Sequence, residues 1–235
     1  MDSFQGTSFA SWAVSQNMKT AVLVVDQSTS YSIGLARAFK KEFEKQGGKL
    51  LKELKISSGD KDFKAIVSQI NSLNPDLVYM PFYHPEAALL VRQARQIGVK
   101  SQFASGDGVS NDTFIELASD ASNGYLYTDA FDSSNPPTAK SKAFVEAYAK
   151  ENGDSNVPGF TALGADSYYL MIDAMNRCAD GADRECVNKE IKNSKNFEGV
   201  SGIINIDKKG NAERSIVIKE IAGGKAMYKD TVNPK

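Results

Sequence analysis

The sequence predicts an α/β protein with a doubly wound parallel sheet, and two patterns support this prediction. Short apolar segments alternate with amphipathic helical segments over the first half of the chain. The first apolar segment, 20–26, is apolar on both faces, which is typical of a strand covered by helices on both sides. Strands that alternate with helices favour parallel pairing, because each crossover helix carries the chain back to the same end of the sheet.

Strands and helices are expected in strict alternation up to residue 128. The expected strands are 20–26, 49–56, 76–80, 102–105 and 124–128, and the expected helices are 3–17, 33–46, one that starts near 63, 85–97 and 112–118. Gly47 and Gly48 are placed to end the second helix, because glycine is common just past a helix C-terminus.

The pattern changes after Asp129, where a linker-like segment leads into helices that have no strand between them. The expected elements are helices near 138–150, 160–177 and 184–194, followed by short strands at 202–207, 215–221 and 226–228. The helix at 160–177 is apolar on nearly all sides, which is typical of a helix buried on several sides. No other segment is expected to cover it, so we predict self-association or disorder of residues 138–200.

Composition excludes several classes of partner. The chain has 235 residues and a formal net charge of -1, with basic residues spread along it, so no nucleic-acid partner is expected. Its longest apolar runs fall far short of the roughly 20 residues that span a bilayer. Residues 1–6 lack the basic and apolar regions of a signal peptide. The chain is therefore expected to be cytoplasmic, or a mature or truncated piece of an exported protein.

The two cysteines, Cys178 and Cys186, favour a disulfide. They flank a short polar segment, and an isolated close pair without a third ligand makes a poor zinc site. A disulfide here would contribute roughly 2 to 3 kcal/mol in the chain-entropy model, and it would indicate an oxidising compartment. The alternative is two free thiols in a reducing cytosol.

Signatures of catalysis are sparse. The single histidine, His84, precedes Pro85 and is placed to cap a helix or to line a cleft. Phosphate loops, nucleophile elbows and zinc-protease motifs are absent from the sequence. The segment 207–211 resembles a calcium loop only superficially, because it lacks the later ligands. We therefore expect a protein that is not an enzyme and that holds no metal and no cofactor.

Three strand exits carry the side chains most suited to a ligand: Tyr31, Tyr83 and Asp107. In an open parallel sheet the carboxyl ends of the strands share one edge, and ligands bind there. Two phenols and a carboxylate suit a small cationic or zwitterionic ligand. Each residue also has a purely structural interpretation, since both tyrosines fit surface turns and Asp107 lies in a Gly-Asp-Gly turn.

These segments resemble branched-chain amino-acid binding proteins, which are type I periplasmic solute-binding proteins of ABC importers. The matching segments are 26–39, 59–63, 74–86, 92–95, 106–108 and 196–202. The resemblance covers nearly the whole chain. It implies a protein that is periplasmic in its full-length form and delivers an amino acid to the membrane permease subunits of the transporter.

The resemblance also implies the roles of four ligand-binding residues. Tyr83 and Asp107 are expected to meet the α-amino end of the ligand, and Tyr31 to close over it. Phe160 is expected to border the side-chain pocket, at a position where phenylalanine replaces a hydroxyl-bearing ring. The implied ligand is leucine, isoleucine, valine or a similar aliphatic amino acid.

Two lobes follow from the same resemblance. Residues 2–130 and 208–235 are expected to form lobe two, and 131–207 to be a helical remainder of lobe one, with hinge crossings near 130 and 205. Family members carry a further N-terminal segment that supplies most of the lobe-one sheet and the groups that bind the ligand carboxylate. This chain is therefore expected to be a truncated form with weakened binding.

Three alternatives stay open at this point. One is a sensory or regulatory domain that binds an amide or an aromatic acid. Another is a flavodoxin-like enzyme or nucleotide binder, against which the missing phosphate loop argues. The last is a structural fragment that binds no ligand.

Overall fold

The computed structural model describes residues 2–234, which fold into two compact units. The first, called the sheet unit, consists of Asp2–Asp129 and Ile218–Val232, and the second, called the helical unit, is built on Ala130–Val217. The second change of unit comes later than the crossing expected near 205. The reason is a short antiparallel pairing, Asn205 with Glu213, which keeps the following turn in the helical unit.

A seven-stranded sheet forms the centre of the sheet unit. Its strands are β1 (Thr20–Asp26), β2 (Lys49–Ile56), β3 (Leu77–Tyr79), β4 (Gln102–Ser105), β5 (Leu126–Asp129), β9 (Ile216–Ala222) and β10 (Lys225–Val232). They lie in the order β10-β9-β5-β4-β3-β1-β2, and the pairs from β2 to β5 are parallel. The predicted α/β class with a mainly parallel sheet is confirmed.

Helices cover both faces of this sheet. They are α1 (Asp2–Ser15), α2 (Ser30–Lys45), α3 (Lys64–Leu73), α4 (His84–Gln96) and α5 (Asp112–Ala118). Val22 and Val78 lie in a buried cluster with side chains of α3, α4 and α5. Tyr79 follows Val78 in β3 and points to the opposite face of the sheet, because successive side chains of a strand alternate. On that face its ring stacks on Phe39 of α2 and on Phe9 of α1, with centroids 4.2 and 5.3 Å apart.

One local expectation was wrong. The sequence placed Tyr31 in a turn after β1, whereas the structure starts α2 at Ser30 and puts Tyr31 in its first turn. Thr29 caps this helix, and its Oγ1 accepts a hydrogen bond of 3.2 Å from the backbone N–H of Ser32. Such a cap satisfies an N–H group that would otherwise have no partner in the helix, which allows the helix to begin earlier.

The helical unit contains three helices and a small antiparallel sheet. These are α6 (Ala139–Asn152), α7 (Gly159–Asn176), α8 (Arg184–Lys192), β6 (Phe197–Glu198), β7 (Ile203–Ile206) and β8 (Ala212–Glu213). A buried cluster of Phe131, Val157, Ala162 and Val200 forms its core. The predicted disulfide between Cys178 and Cys186 is present. No helix among the described residues is both long enough and apolar enough to cross a membrane.

Helix α7 is buried on one face only. Ala162 and Ala174 are fully buried, whereas Tyr168 is 63% exposed and Met171 is 44% exposed. The sequence pattern indicates burial on several sides, so this apolar face is more exposed than the pattern alone would suggest. Self-association through this face stays a prediction.

Candidate functional site

Tyr31 and Asp107 are joined directly at the carboxyl-terminal edge of the sheet. The Tyr31 hydroxyl donates to Asp107 Oδ1 over 3.0 Å, and it accepts a 2.8 Å hydrogen bond from the backbone N–H of Gly108. Tyr31 follows β1 and Asp107 follows β4, with β3 between them in the sheet. The phenol therefore reaches across one strand exit to hold the carboxylate in place.

Two glycines make room for this phenol. A Cβ atom on Gly106 would lie 2.6 Å from the Tyr31 hydroxyl oxygen and 2.5 Å from Leu35 Cδ2. A Cβ atom on Gly108 would lie 3.1 Å from the same hydroxyl. The Gly-Asp-Gly pattern, which a turn would also explain, is thus required here by the close approach of a side chain.

Tyr83 completes an aromatic surface beside the carboxylate. It occupies the N-cap position of α4, and its ring stacks on that of Tyr31 with centroids 5.0 Å apart and planes 19° apart. Stacked aromatic pairs stabilise each other beyond the area that they bury. Tyr83 is 45% exposed, so part of this aromatic surface is accessible from solvent.

The electrostatics of the site keep the Tyr31 phenol protonated. Burial is the main cause that raises the pKa of Tyr31, and the nearby Asp107 carboxylate raises it further. A neutral phenol is the form that can donate to a carboxylate. At neutral pH Tyr31 therefore keeps the proton that it donates to Asp107.

We predict that the protein loses stability as the pH rises above about 10. The pKa values of Tyr31, Tyr79 and Tyr125 are all raised, mainly by burial. Above pH 10 the unfolded state releases these protons and the folded state keeps them. The free energy of unfolding should then fall by up to about 1.4 kcal/mol per pH unit for each tyrosine.

Urea unfolding between pH 9 and 11 measures the slope of the free energy of unfolding against pH. Tyr31→Phe should reduce it by about a third, and an unchanged slope would refute the assignment.

A second hydrogen-bond chain reaches Asp107 from α1 and was missed by the sequence reasoning. Gln5 Nε2 donates to Asp107 Oδ2 over 2.8 Å, and Thr128 Oγ1 donates to Gln5 Oε1 over 2.6 Å. Both Gln5 and Thr128 are buried. No local pattern could reveal this contact, because Gln5 lies 102 positions from Asp107 and 123 from Thr128.

A buried ion pair is linked by a hydrogen bond to the segment that carries Asp107. Lys219 Nζ lies 3.4 Å from Asp129 Oδ2, and both side chains are more than nine-tenths buried. Ser110, which directly follows the short 3-10 helix Asp107–Val109, donates to the same Asp129 oxygen over 2.6 Å. A lysine inside the apolar strand β9 was a usable signal for a buried acidic partner, and the sequence reasoning did not use it.

The structure brings together three of the four predicted ligand-binding residues. Tyr31, Tyr83 and Asp107 meet in the sheet unit, whereas Phe160 lies in the first turn of α7 in the helical unit and is 59% exposed. His84, the one candidate for catalysis, has Nδ1 3.2 Å from Asn111 Nδ2. The described residues contain no group of three or more side chains suited to hold a metal ion.

Comparison with known proteins supports a binding role. The family described as periplasmic binding protein matches residues 2–225, which is most of the chain. The chain belongs to this family. Members of the family are substrate-binding proteins rather than enzymes. The resemblance drawn from the sequence motifs is therefore confirmed.

Two curated relatives illustrate the similarity and its extent. The leucine-, isoleucine-, valine-, threonine- and alanine-binding protein of Pseudomonas aeruginosa is 31% identical over 90% of this chain and 55% of its own length. The leucine-specific-binding protein of Salmonella typhimurium is 28% identical over 90% of this chain and 56% of its own length. The chain thus spans about half the length of the curated relatives that it matches.

Solved structures give the same result. A leucine binding protein from Thermotoga maritima is 36% identical and superposes with a TM-score of 0.93, covering 100% of this chain and 66% of its own. The branched-chain amino acid transporter substrate binding protein of Streptococcus pneumoniae, solved in complex with isoleucine, is 26% identical with a TM-score of 0.86 and the same coverage.

Proposed function

We propose that this chain is part of the solute-binding component of an ABC importer and that it binds an aliphatic amino acid. The observation that carries the proposal is the carboxylate of Asp107, which two hydrogen bonds hold beside the stacked pair of Tyr31 and the exposed Tyr83. Two relatives from different organisms are named for leucine binding, and the structure of another relative was solved in complex with isoleucine. No catalytic step is part of the proposed function.

Asp107 is proposed to receive the ammonium group of the ligand. A carboxylate offers about four acceptor positions, and Tyr31 and Gln5 occupy one on each oxygen. The remaining positions can accept from an ammonium group, and hydrogen bonds between charged groups are the stronger kind. Tyr83 lies at the same end of the ligand, Tyr31 forms a wall of the site, and Phe160 borders the ligand side chain.

Location and partners follow from the same proposal. In its full-length form the protein is periplasmic and passes its ligand to the membrane permease subunits of the importer. The disulfide between Cys178 and Cys186 is consistent with an oxidising compartment. The sheet unit corresponds to lobe two and the helical unit to part of lobe one.

By itself the chain is proposed to bind amino acids weakly. The relatives are about twice as long as the matched segment, and the resemblance assigns the ligand-carboxylate contacts to segments that this chain does not match. Each lost hydrogen bond to a charged group costs about 1.5–3 kcal/mol. We therefore expect calorimetric titration with leucine to give a dissociation constant above the micromolar range, and micromolar binding would refute this part of the proposal.

The ammonium assignment is tested by ligands that keep one end of leucine. In NMR titrations we expect 3-methylbutylamine, which has no carboxylate, to shift the Gly108 amide at millimolar concentration. We expect 4-methylpentanoate, which has no amino group, to leave this resonance unchanged. If 4-methylpentanoate shifts the Gly108 amide and 3-methylbutylamine does not, the site binds the carboxylate end of the ligand and the assignment is refuted.

Asp107→Asn is expected to weaken amine binding about thirtyfold, which corresponds to about 2 kcal/mol. The substitution removes the charge and keeps the shape. The Gln5 amide can turn over so that its oxygen accepts from the new amide, because Thr128 can both donate and accept. Asp120→Asn, which removes an exposed carboxylate of the same unit, is the matched control. Equal losses in both variants would indicate a general charge effect.

A further inference from the structure

We propose that Gln5 is a positioning residue that fixes the carboxylate of Asp107 for an ammonium ligand. Its amide forms the middle of a chain from Thr128 Oγ1 to Gln5 Oε1 (2.6 Å) and from Gln5 Nε2 to Asp107 Oδ2 (2.8 Å). The ligand named here rests on the proposed function, whereas the positioning itself rests on these contacts. The proposal makes α1 a part of the site as well as of the core.

The direction of the Gln5 amide follows from chemistry. A carboxylate oxygen only accepts, so the amide must turn its NH2 group toward Asp107. Its carbonyl oxygen then faces the Thr128 hydroxyl, which is able to donate. Thr128 is fully buried and Gln5 is 7% exposed, so water does not compete for these partners. A satisfied buried polar chain of this kind holds its members in one arrangement.

Two donors are needed to fix the Asp107 side chain. Tyr31 holds Oδ1 and Gln5 holds Oδ2, so rotation about both side-chain bonds is restrained. With Tyr31 alone, the carboxylate could rotate about the axis through Oδ1. A carboxylate that is already held in place loses less conformational freedom when a ligand binds than a carboxylate that the ligand must order. This is the contribution that we assign to Gln5.

The backbone of α1 brings Gln5 to this position. The adjacent Gly6 lies so close to α2 that a Cβ atom there would be 2.6 Å from the Leu35 carbonyl oxygen. The Trp12 indole donates to Asp230 Oδ2 over 2.7 Å, which fixes the later part of α1. Helix α1 is therefore held in place both next to Gln5 and further along its length.

The test compares Gln5→Met and Thr128→Val with Gln16→Met. Methionine has the length of glutamine without its amide, and Thr128→Val removes only the donor that orients Gln5. Gln16 lies just beyond the end of α1 and is exposed, so its replacement controls for a change in this region. The double variant Gln5→Met/Thr128→Val removes both members of the Thr128–Gln5 hydrogen bond, so neither is left buried without the other, which guards against loss of folding.

The main readout is the carboxyl carbon resonance of Asp107 in the protein with labelled aspartate, assigned with Asp107→Asn. We expect this resonance and the Gly108 amide to shift in the Gln5 and Thr128 variants and to stay unchanged in Gln16→Met. We also expect Gln5→Met to weaken binding of 3-methylbutylamine about tenfold. An unchanged Asp107 resonance in Gln5→Met overturns the positioning role, whether or not the protein binds an amine. Failure of the unaltered chain to bind any amine, with the resonance shifted, overturns the proposed ligand and leaves the positioning role supported.

Discussion

Replacement of Lys219 by methionine is expected to lower the free energy of unfolding by about 3–5 kcal/mol. The ammonium group of Lys219 lies 3.4 Å from Asp129 Oδ2, and the two side chains are 7% and 3% exposed. Without Lys219 the buried Asp129 carboxylate loses the ammonium group that faces it at 3.4 Å. The cost is the desolvation of the carboxylate charge, which far exceeds the value of an ion pair at the surface.

Urea unfolding of the variant measures this loss, and Lys229→Met is the matched control. Lys229 lies on the neighbouring strand β10 and pairs with Glu220 at 2.5 Å, where the two side chains are 36% and 35% exposed. Removing that pair should change the free energy of unfolding by less than about 1 kcal/mol. Comparable losses in the two lysine variants would contradict the prediction.

A second variant separates the lost charge from lost packing. Lys219→Met combined with Asp129→Leu removes both members of the pair and should recover much of the stability, because both charges of this ion pair are then absent from the core. The double variant also deprives Ser110 of its acceptor, a 2.6 Å hydrogen bond to Asp129. Because Ser110 follows directly on the 3-10 helix that carries Asp107, we expect the loop to loosen although the fold regains stability.

Apolar patterns made the fold predictable. Strands β1 and β2 have the expected bounds, because Ala21 to Val25 is an uninterrupted apolar run and Lys49 to Ile56 alternates. The start of α2 was misplaced, because the apolar stripe of a helix does not mark its first turn. Thr29 marks it, through a capping bond that a search for apolar spacing ignores.

The site was predictable only where one local segment carries the signal. Asp107 and Tyr83 could be placed because each lies in the short segment that leaves the end of a strand, and the carboxyl ends of parallel strands share an edge. The contacts that hold Asp107 join distant parts of the chain, as the link from Gln5 to Thr128 shows. The packing of α1 brings those two residues together, and a single sequence contains no local trace of that packing.

Gly6→Ala is expected to lower the free energy of unfolding by about 2–3 kcal/mol, although alanine favours helices more than glycine by about 1 kcal/mol. The new Cβ atom would lie 2.6 Å from the carbonyl oxygen of Leu35 and 3.1 Å from the backbone nitrogen of Phe39. Both atoms belong to the backbone of α2, so no side-chain rotation relieves the contact and the helices must separate.

The separation disturbs a rigid aromatic core. Phe9 of α1 packs against Phe39 and Tyr79 with centroids 6.3 and 5.3 Å apart, and all three rings are fully buried. Close-packed interiors do not absorb an added methyl group without loss of contacts elsewhere. This is why the cost should exceed the gain in helix propensity.

Gly34→Ala provides the control of opposite sign. Gly34 lies in α2, and a Cβ atom there would have no heavy atom within 4 Å. This substitution should stabilise the protein by about 0.5–1 kcal/mol, because it only removes the flexibility of glycine from a helix. Urea unfolding of the two variants should therefore give changes of opposite sign, and two stabilising substitutions would show that α1 is not closely packed on α2.

Gly6→Ala also connects the core to the site. Any shift that accommodates a methyl group at position 6 also moves the neighbouring Gln5, whose amide lies 2.8 Å from Asp107. We expect Gly6→Ala to shift the Asp107 carboxyl resonance in the same direction as Gln5→Met does, and Gly34→Ala to leave it unchanged. A destabilised Gly6→Ala protein with an unchanged Asp107 resonance would show that the packing of α1 and the geometry of the carboxylate are independent.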